Sequence, residues 1–234
     1  MTVPLPSFSF APYRLTGTVY GVLLNHAGAL AALGETVNAR PYLAPPTAPV
    51  LYVKPRNTLS APHQPIEVPE DAPHLLIGAN LGAVIGRTAC RVAAEQALSY
   101  VAGYVIVNDL SVPHASYFRP SIRFIARDGT CSIGPSVVDP EHIADPDALR
   151  VRVYVDGRLM QTTDTSQRLR PLERLIADVT EFMTLAPGDI LMLGASAGAP
   201  TACAGQRVSV AIDGLGQLEN PLVVERETVD AGLS

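Results

Sequence analysis

Proline and glycine interrupt this chain at short intervals, with 21 Pro and 18 Gly among its 234 residues. Proline donates no backbone hydrogen bond and glycine accepts turn conformations, so interruptions this frequent keep regular elements short. The pattern favours many short strands joined by turns over long helices. With a hydrophobic fraction of 47%, a chain of this length can bury a full core, and one large domain is expected.

Several segments carry recognisable strand patterns. Residues 13–25 are rich in β-branched and aromatic side chains and predict an opening strand, and residues 103–107 predict a buried strand that ends at an Asn-Asp corner. In residues 151–161, valines alternate up to an Asp-Gly pair, which is typical of a hairpin. Residues 206–225 predict two closing strands.

Two segments have helical spacing of their apolar residues. Residues 88–100 predict a short amphipathic helix, and residues 171–183 predict a second helix with proline at its start and an apolar stripe along one side. Both helices are expected to lie outside the strands.

Charge and hydropathy exclude some classes of protein. The net charge of -5 and the absence of a basic cluster argue against a nucleic-acid partner. The first residues lack the pattern of a signal peptide, and no stretch of about 18 apolar residues predicts a membrane span. We therefore expect a soluble cytoplasmic protein.

The central stretch from residue 74 to residue 135 contains uncommon motifs in a fixed order. They are Val84-Ile85-Gly86-Arg87, Gly103-Tyr104, Asn108-Asp109-Leu110-Ser111, Arg119-Pro120 and Arg127-Asp128-Gly129. This order resembles the fumarylacetoacetate hydrolase family. The resemblance implies a mainly β (α+β) fold, a mixed β-roll with a few peripheral helices. It covers residues 15–226, leaving an extension at 1–14 and a tail at 227–234.

The resemblance also implies a divalent metal site, but this sequence departs from it. Active family members hold Mg²⁺ or Mn²⁺ with a Glu-x-Glu pair and a downstream Asp. The matching positions here are Gly78, Asn80 and Asp109. Because anionic oxygen ligands largely decide whether Mg²⁺ is retained, no metal is expected to bind tightly. The alternative role of Asp109 is a turn or cap at the end of its strand.

The acid-base residues of the family are also replaced. The His/Glu pair falls at Ala29 and Ala32, which leaves His26, out of register, as the candidate general base. A lysine of the family corresponds to Ile125, and Arg123 lies two residues earlier, where it would partly replace the charge.

Cationic and polar residues near the motifs are candidate substrate contacts. A bidentate arginine suits a carboxylate, so these side chains favour a small dicarboxylate. The alternatives are a solvated strand end for residues 54–57 and surface ion pairs for the arginines. The candidates are Lys54, Arg56, Asn57, Tyr117, Arg119, Arg123 and Thr165.

Three functional hypotheses remain open at this point. Within the family, the YFRP and ARDGTCSIG segments are similar to the amino-terminal half of the two-half decarboxylase/isomerases of homoprotocatechuate breakdown. This implies a subunit that acts on unsaturated 2-oxo-dicarboxylic acids in aromatic catabolism. The alternatives are a non-catalytic half that pairs with a metal-bearing paralogue, or a small-carboxylate-binding protein. A homodimer or such a hetero-oligomer is expected.

Overall fold

The computed structural model describes residues 17–114 and 122–225. These residues form mostly strands, with a few short helices, so the mainly β fold expected from the sequence is confirmed.

The α-helices are Ala27–Ala31 (α1), Ala94–Ala97 (α2), Ile122–Ile125 (α3) and Leu172–Phe182 (α4). The strands run, in chain order, over Val19–Leu23 (β1), Val50–Lys54 (β2), Leu59–Ser60 (β3), Ile66–Val68 (β4), Leu75–Ile85 (β5), Val101–Ser111 (β6), Cys131–Val138 (β7), Arg150–Val155 (β8), Arg158–Asp164 (β9), Ile190–Met192 (β10), Thr201–Ala202 (β11), Arg207–Ile212 (β12) and Gly216–Val224 (β13). Single 3₁₀ turns cover Gly34–Asn38, Arg56–Thr58, Leu98–Tyr100, Pro140–His142 and Thr165–Gln167.

The strands form two sheets. The larger sheet has the order β2-β1-β10-β5-β6-β7-β3, with β11 also paired to β5, and the smaller has the order β4-β13-β12-β8-β9. Both contain parallel and antiparallel pairs, for example β1 with β10 and β5 with β6. None of the helices in residues 17–114 and 122–225 is long and apolar enough to cross a bilayer.

The larger sheet is curled, and a short connection requires it. Strands β2 and β3 stand at opposite ends of the seven-strand order, yet only residues 55–58 separate them. Five residue steps span at most about 18 Å. Six strand spacings across a flat sheet would be about 29 Å. The two edges must therefore approach each other, which gives the roll that the family resemblance implies.

Alternation along the strands divides the apolar side chains between two cores. Ile106 and Leu110 of β6 pack between the sheets with the valines of β8 and β12 and with α4. Val105 and Val107 point to the opposite face, into the inside of the curl. Because side chains alternate along a strand, Asp109 shares the inner face with these valines.

Most predicted elements are present with shifted ends. The hairpin is confirmed as β8 and β9, the closing strands as β12 and β13, and the helix at 171–183 as α4. The opening strand is β1, and the part of that prediction before residue 17 lies outside the described residues.

The helix predicted over 88–100 is wrong in its first half. Only Ala94–Ala97 is α-helical, and a 3₁₀ turn follows. The backbone before Ala94 instead forms hydrogen bonds with α4 and with the segment that follows it. Ala89 exchanges hydrogen bonds with Leu185, and the Arg91 N–H donates to the Thr180 carbonyl. Tertiary hydrogen bonds therefore replace the helical ones that the apolar spacing favoured.

The strand predicted to end at residue 107 is longer than expected. Strand β6 continues through Asn108 and Asp109 to Ser111, in register with β5, where Gly78 lies opposite Asp109. The Asx-type turn or cap given as the alternative role of Asp109 is therefore wrong, because its backbone belongs to the sheet ladder.

Helix α4 offers a matched test of the core. Leu175 is fully buried between the helix and the sheets, whereas Phe182 on the same helix is 64% exposed. We expect Leu175→Ala to lower the free energy of unfolding by about 2–5 kcal/mol, because it leaves a cavity in a packed core. Phe182→Ala should change it by less than about 0.5 kcal/mol. Urea unfolding of the two variants measures both values, and equal losses would contradict the assignment of the buried face.

Candidate active-site pocket

A pocket of about 360 Å³ lies on the inner face of the curled sheet. Its floor comes from alternate residues of two neighbouring strands, because alternate side chains share a face. They are Leu76, Gly78 and Asn80 of β5, and Asp109 and Ser111 of β6. The two positions expected to have lost metal ligands therefore lie beside the one expected to have kept its carboxylate.

The walls contain the other positions at which the family resemblance expects acid-base and cationic residues. Ala29 and Ala32 lie at α1 and its C-terminal cap, Ile125 ends α3, and a loop with Ser196 completes the lining. Positions 29, 32, 78, 80 and 125, which are distant in sequence, thus surround a single pocket.

Asp109 is held by two side chains from β2. Lys54 Nζ lies 2.7 Å from Asp109 Oδ1, and the Tyr52 hydroxyl donates to Asp109 Oδ2 at 2.5 Å. The Lys54 ammonium also donates to the Ile125 carbonyl. Gly21 on β1 makes this possible, since a Cβ there would lie only 2.0 Å from the Tyr52 ring.

Burial and charge act in opposite directions on Lys54. Its side chain is fully buried, and desolvation alone lowers its pKa, but the Asp109 carboxylate more than offsets this and the pKa is raised. Burial, followed by the same carboxylate, raises the pKa of Tyr52 well above its usual value. Lys54 therefore stays an ammonium and Tyr52 stays a neutral donor at neutral pH.

These residues do not fit a divalent ion. Gly78 has no side chain, and a Cβ at this position would lie 2.3 Å from the backbone oxygen of Asp109. Asn80 offers a neutral amide oxygen, the Tyr52 hydroxyl donates to Asp109 Oδ2, and the Lys54 ammonium lies beside Asp109 Oδ1. Within residues 17–114 and 122–225, no three His, Cys, Asp or Glu side chains are grouped so as to hold a metal.

His26 lies beside the pocket but has a structural contact. It is the N-cap of α1, where its Nδ1 accepts a hydrogen bond from the Gly28 N–H at 3.1 Å. Burial lowers its pKa, the Arg168 charge lowers it further, and Asp164 partly opposes the shift. Its neighbours Ala29 and Ala32 line the pocket, whereas His26 is not among the described lining residues. The geometry brings no support for His26 as a base.

The candidate substrate contacts near β2 are dispersed. Lys54 was expected at the rim of the pocket and is instead buried in the ion pair with Asp109. Arg56 is exposed. Asn57 donates to Asp128 Oδ1 at 2.6 Å and to the Ala126 carbonyl, so it fastens the loop before β7.

The other described candidates, Arg123 and Thr165, also have partners elsewhere in the protein. Arg123 pairs with Asp71 at the surface, which was the alternative reading of this arginine. The Thr165 hydroxyl donates to the Pro146 carbonyl and accepts from the Leu149 N–H, and the residue does not belong to the described lining of the pocket. Tyr117 and Arg119 lie outside the described residues.

Sequence reasoning missed Tyr52 and Ser111 as pocket residues. Both had a usable signal, since each lies two residues from a singled-out position, Lys54 and Asp109, on a strand. The Ala195-Ser196 turn resembles a family turn that shapes the pocket floor, and the structure places it in the lining.

Comparison with known proteins identifies the family. The model of the fumarylacetoacetate (FAA) hydrolase C-terminal family matches residues 18–223. The chain belongs to this family. It is 38% identical over 213 residues to the homoprotocatechuate catabolism bifunctional isomerase/decarboxylase of Escherichia coli, covering 91% of this chain and 49% of that one. It thus spans about half the length of this curated relative.

Solved structures agree with this assignment. The 5-carboxymethyl-2-hydroxymuconate delta-isomerase of Mycobacterium smegmatis is 30% identical with a TM-score of 0.76, covering 92% of this chain and 82% of that one. Fumarylpyruvate hydrolase of Pseudomonas aeruginosa, solved with Mn²⁺ and pyruvate, is 25% identical with a TM-score of 0.79, covering 96% and 97%. The relatives are isomerases, decarboxylases and hydrolases.

The buried ion pair leads to a test by double-mutant cycle. Lys54→Met should lower the free energy of unfolding by about 3–5 kcal/mol, because it leaves the Asp109 carboxylate buried without a cation. Adding Asp109→Leu should recover much of this loss, since an apolar pair replaces the ions. Urea unfolding of both single variants and the double variant measures the coupling. Additive losses would contradict a direct interaction.

The N-cap of α1 leads to a test of pH dependence. The pKa of His26 is lower in the folded protein than in the unfolded chain, where it is about 6.5, so the unfolded chain takes up the proton first as the pH falls. His26 thus stabilises the fold above this pH, and the contribution is lost as the pH drops below it. His26→Asn keeps a capping acceptor without the titration. We expect the fall in urea midpoint between about pH 8 and about pH 5.5 to be smaller in this variant. An equal fall in both proteins would show that His26 is not responsible.

Proposed function

We propose that this chain is the non-catalytic half of a two-half decarboxylase/isomerase that acts on unsaturated 2-oxo-dicarboxylic acids in aromatic catabolism. The reactions would be of the 5-carboxymethyl-2-oxo-hex-3-ene-1,7-dioate decarboxylase and 2-hydroxyhepta-2,4-diene-1,7-dioate isomerase type. Its partner would be a paralogue that carries a metal site, and its role would be to complete the oligomer and shape the partner's pocket.

The observation that carries this proposal is the pocket without its expected chemistry. Positions 29, 32, 78, 80 and 125 surround it, and none of them supplies a carboxylate, an imidazole or an ammonium. A general base must be within hydrogen-bond reach of the proton that it moves. Asp109, the carboxylate on the pocket floor, already accepts from Tyr52 and pairs with Lys54. The imidazole of His114, which also lines the pocket, has its Nδ1 2.9 Å from the Val112 carbonyl and stacks on Phe124.

The extent of the similarity supports a two-half arrangement. The match covers about half of the length of a bifunctional relative. Such coverage is expected of one half of an enzyme built from two similar halves. The retained fold supports a role in assembly, since a half that only completes an oligomer still needs its structure.

The small-carboxylate-binding alternative is less well supported. It relied on Lys54, Arg56, Arg119 and Arg123 as anion contacts. In the described part of the chain, Lys54 is committed to Asp109 and Arg123 to Asp71. The arginine at position 56 is exposed and is absent from the lining of the pocket.

A metal titration combined with reconstitution tests the proposal. We expect no saturable binding of Mn²⁺ or Mg²⁺ to this chain by calorimetry, and no oxaloacetate decarboxylation by the chain alone, because the ligand set is incomplete. Purification together with a paralogue that retains the Glu-x-Glu pair should give a stable complex whose turnover exceeds that of the paralogue by itself.

Asp109→Ala supplies the control for the titration. Saturable Mn²⁺ binding that disappears in Asp109→Ala, together with turnover by the chain alone, would overturn the proposal and establish an autonomous enzyme. Failure of the paralogue to form a complex would overturn the assembly role.

A further inference from the structure

The pocket keeps a volume and a polar floor that the proposed assembly role does not use. Its size of about 360 Å³ lies within the range of small-molecule sites. We propose that it binds an uncharged small molecule with an apolar body and a hydrogen-bond donor group, such as a primary carboxamide, in preference to a carboxylate. This inference concerns the pocket alone and does not depend on the partner.

The donor requirement follows from Asn80. The residue is 1% exposed and lines the pocket, and its Nδ2 donates to the Gly78 carbonyl at 3.0 Å. Its Oδ1 is buried and has no hydrogen-bond partner. A ligand that covered this oxygen without donating to it would leave a buried acceptor unpaired at a cost of about 1–3 kcal/mol, so a ligand with an N–H placed against it is favoured.

The preference for an uncharged ligand follows from the balance of charge. Lys54 and Asp109 form a neutral pair, and both Asp109 oxygens present negative charge toward Tyr52 and Lys54. Among the other described lining residues, His114 has its Nδ1 2.9 Å from the Val112 carbonyl, and its ring stacks on Phe124. A carboxylate would thus lose its hydration without gaining a dedicated cation from the described lining residues, which is costly.

The apolar body follows from the walls. Leu23, Leu24 and Leu76 line the pocket together with Ile125 and the alanines of α1. The replacements at 29, 32 and 125 removed polar chemistry from these walls and left hydrocarbon surface. Contact with such walls stabilises an apolar ligand roughly in proportion to the area buried.

Benzamide and benzoate provide a matched pair of probes, since they have nearly the same shape and differ in charge and in donors. We expect saturable binding of benzamide to the whole chain by calorimetry or ligand-observed NMR, with benzoate at least about tenfold weaker. Comparable or tighter binding of benzoate would overturn the inference, as would the absence of saturable binding by either probe.

Two pocket variants, Asn80→Leu and Ile125→Lys, and one control variant, Asn38→Leu, connect the preference to the pocket. Asn80→Leu removes the acceptor at similar volume and should weaken benzamide at least about fivefold, whereas Asn38→Leu, an exposed asparagine on a 3₁₀ turn, should not change its affinity. Unchanged affinity in Asn80→Leu would contradict the role of its Oδ1. Ile125→Lys adds a cation at the wall and should shift the preference toward benzoate.

These results are separable from those of the metal and reconstitution assays. A pocket that fails to bind benzamide leaves the non-catalytic assembly role intact. A chain that binds benzamide but turns over substrate alone would overturn only the proposed function.

Discussion

The ion pair between Lys54 and Asp109 is the interaction on which the architecture of the pocket depends. Lys54 ends a strand at one edge of the curled sheet, whereas Asp109 lies within β6, near the other edge. Their contact therefore joins parts of the sheet that would be far apart if it were flat. Because both groups are buried, neither can be removed alone without leaving an uncompensated charge.

This pair also explains why the departures from the family pattern form a consistent set. By the family resemblance, the positions of Gly78 and Asn80 would hold anions and the position of Ile125 a cation. With both absent, the remaining carboxylate, Asp109, is balanced by Lys54. The floor of the pocket is thus close to electrically neutral, and burial of its remaining charges is tolerable.

The sequence predicted the strands and hairpins well because their signals are local. Alternating valines before Asp156-Gly157 define the β8-β9 hairpin without reference to the rest of the chain. The helix expected over 88–100 failed because Ala89 and Arg91 bond to residues about 90 positions away, which no local pattern reports.

The site shows the same division between local and distant information. The family resemblance aligned positions 29, 32, 78, 80 and 125, and the fold places them around one pocket. What sequence reasoning did not provide was the partner of each charge. Lys54 and Arg123 were both expected to face substrate, yet one neutralises Asp109 and the other pairs with Asp71. Such pairings depend on side chains brought together by folding, and a strand-end cation has the same local sequence whether it faces solvent or a buried carboxylate.

Gly78 shows that the backbone, and not only the side chains, determines the form of the pocket. It lies opposite Asp109 in the β5-β6 ladder, and a Cβ there would be 2.3 Å from the Asp109 carbonyl oxygen. No backbone atom accepts such an approach, so a glutamate at this position requires the two strands to separate locally. Strand β6 in turn carries Asp109 and its contacts with Lys54 and Tyr52, so this separation would also disturb the ion pair. The missing ligand and the paired carboxylate are therefore one structural feature. The metal site that the family resemblance implies would therefore require a rearrangement of the strands and not only a change of side chain.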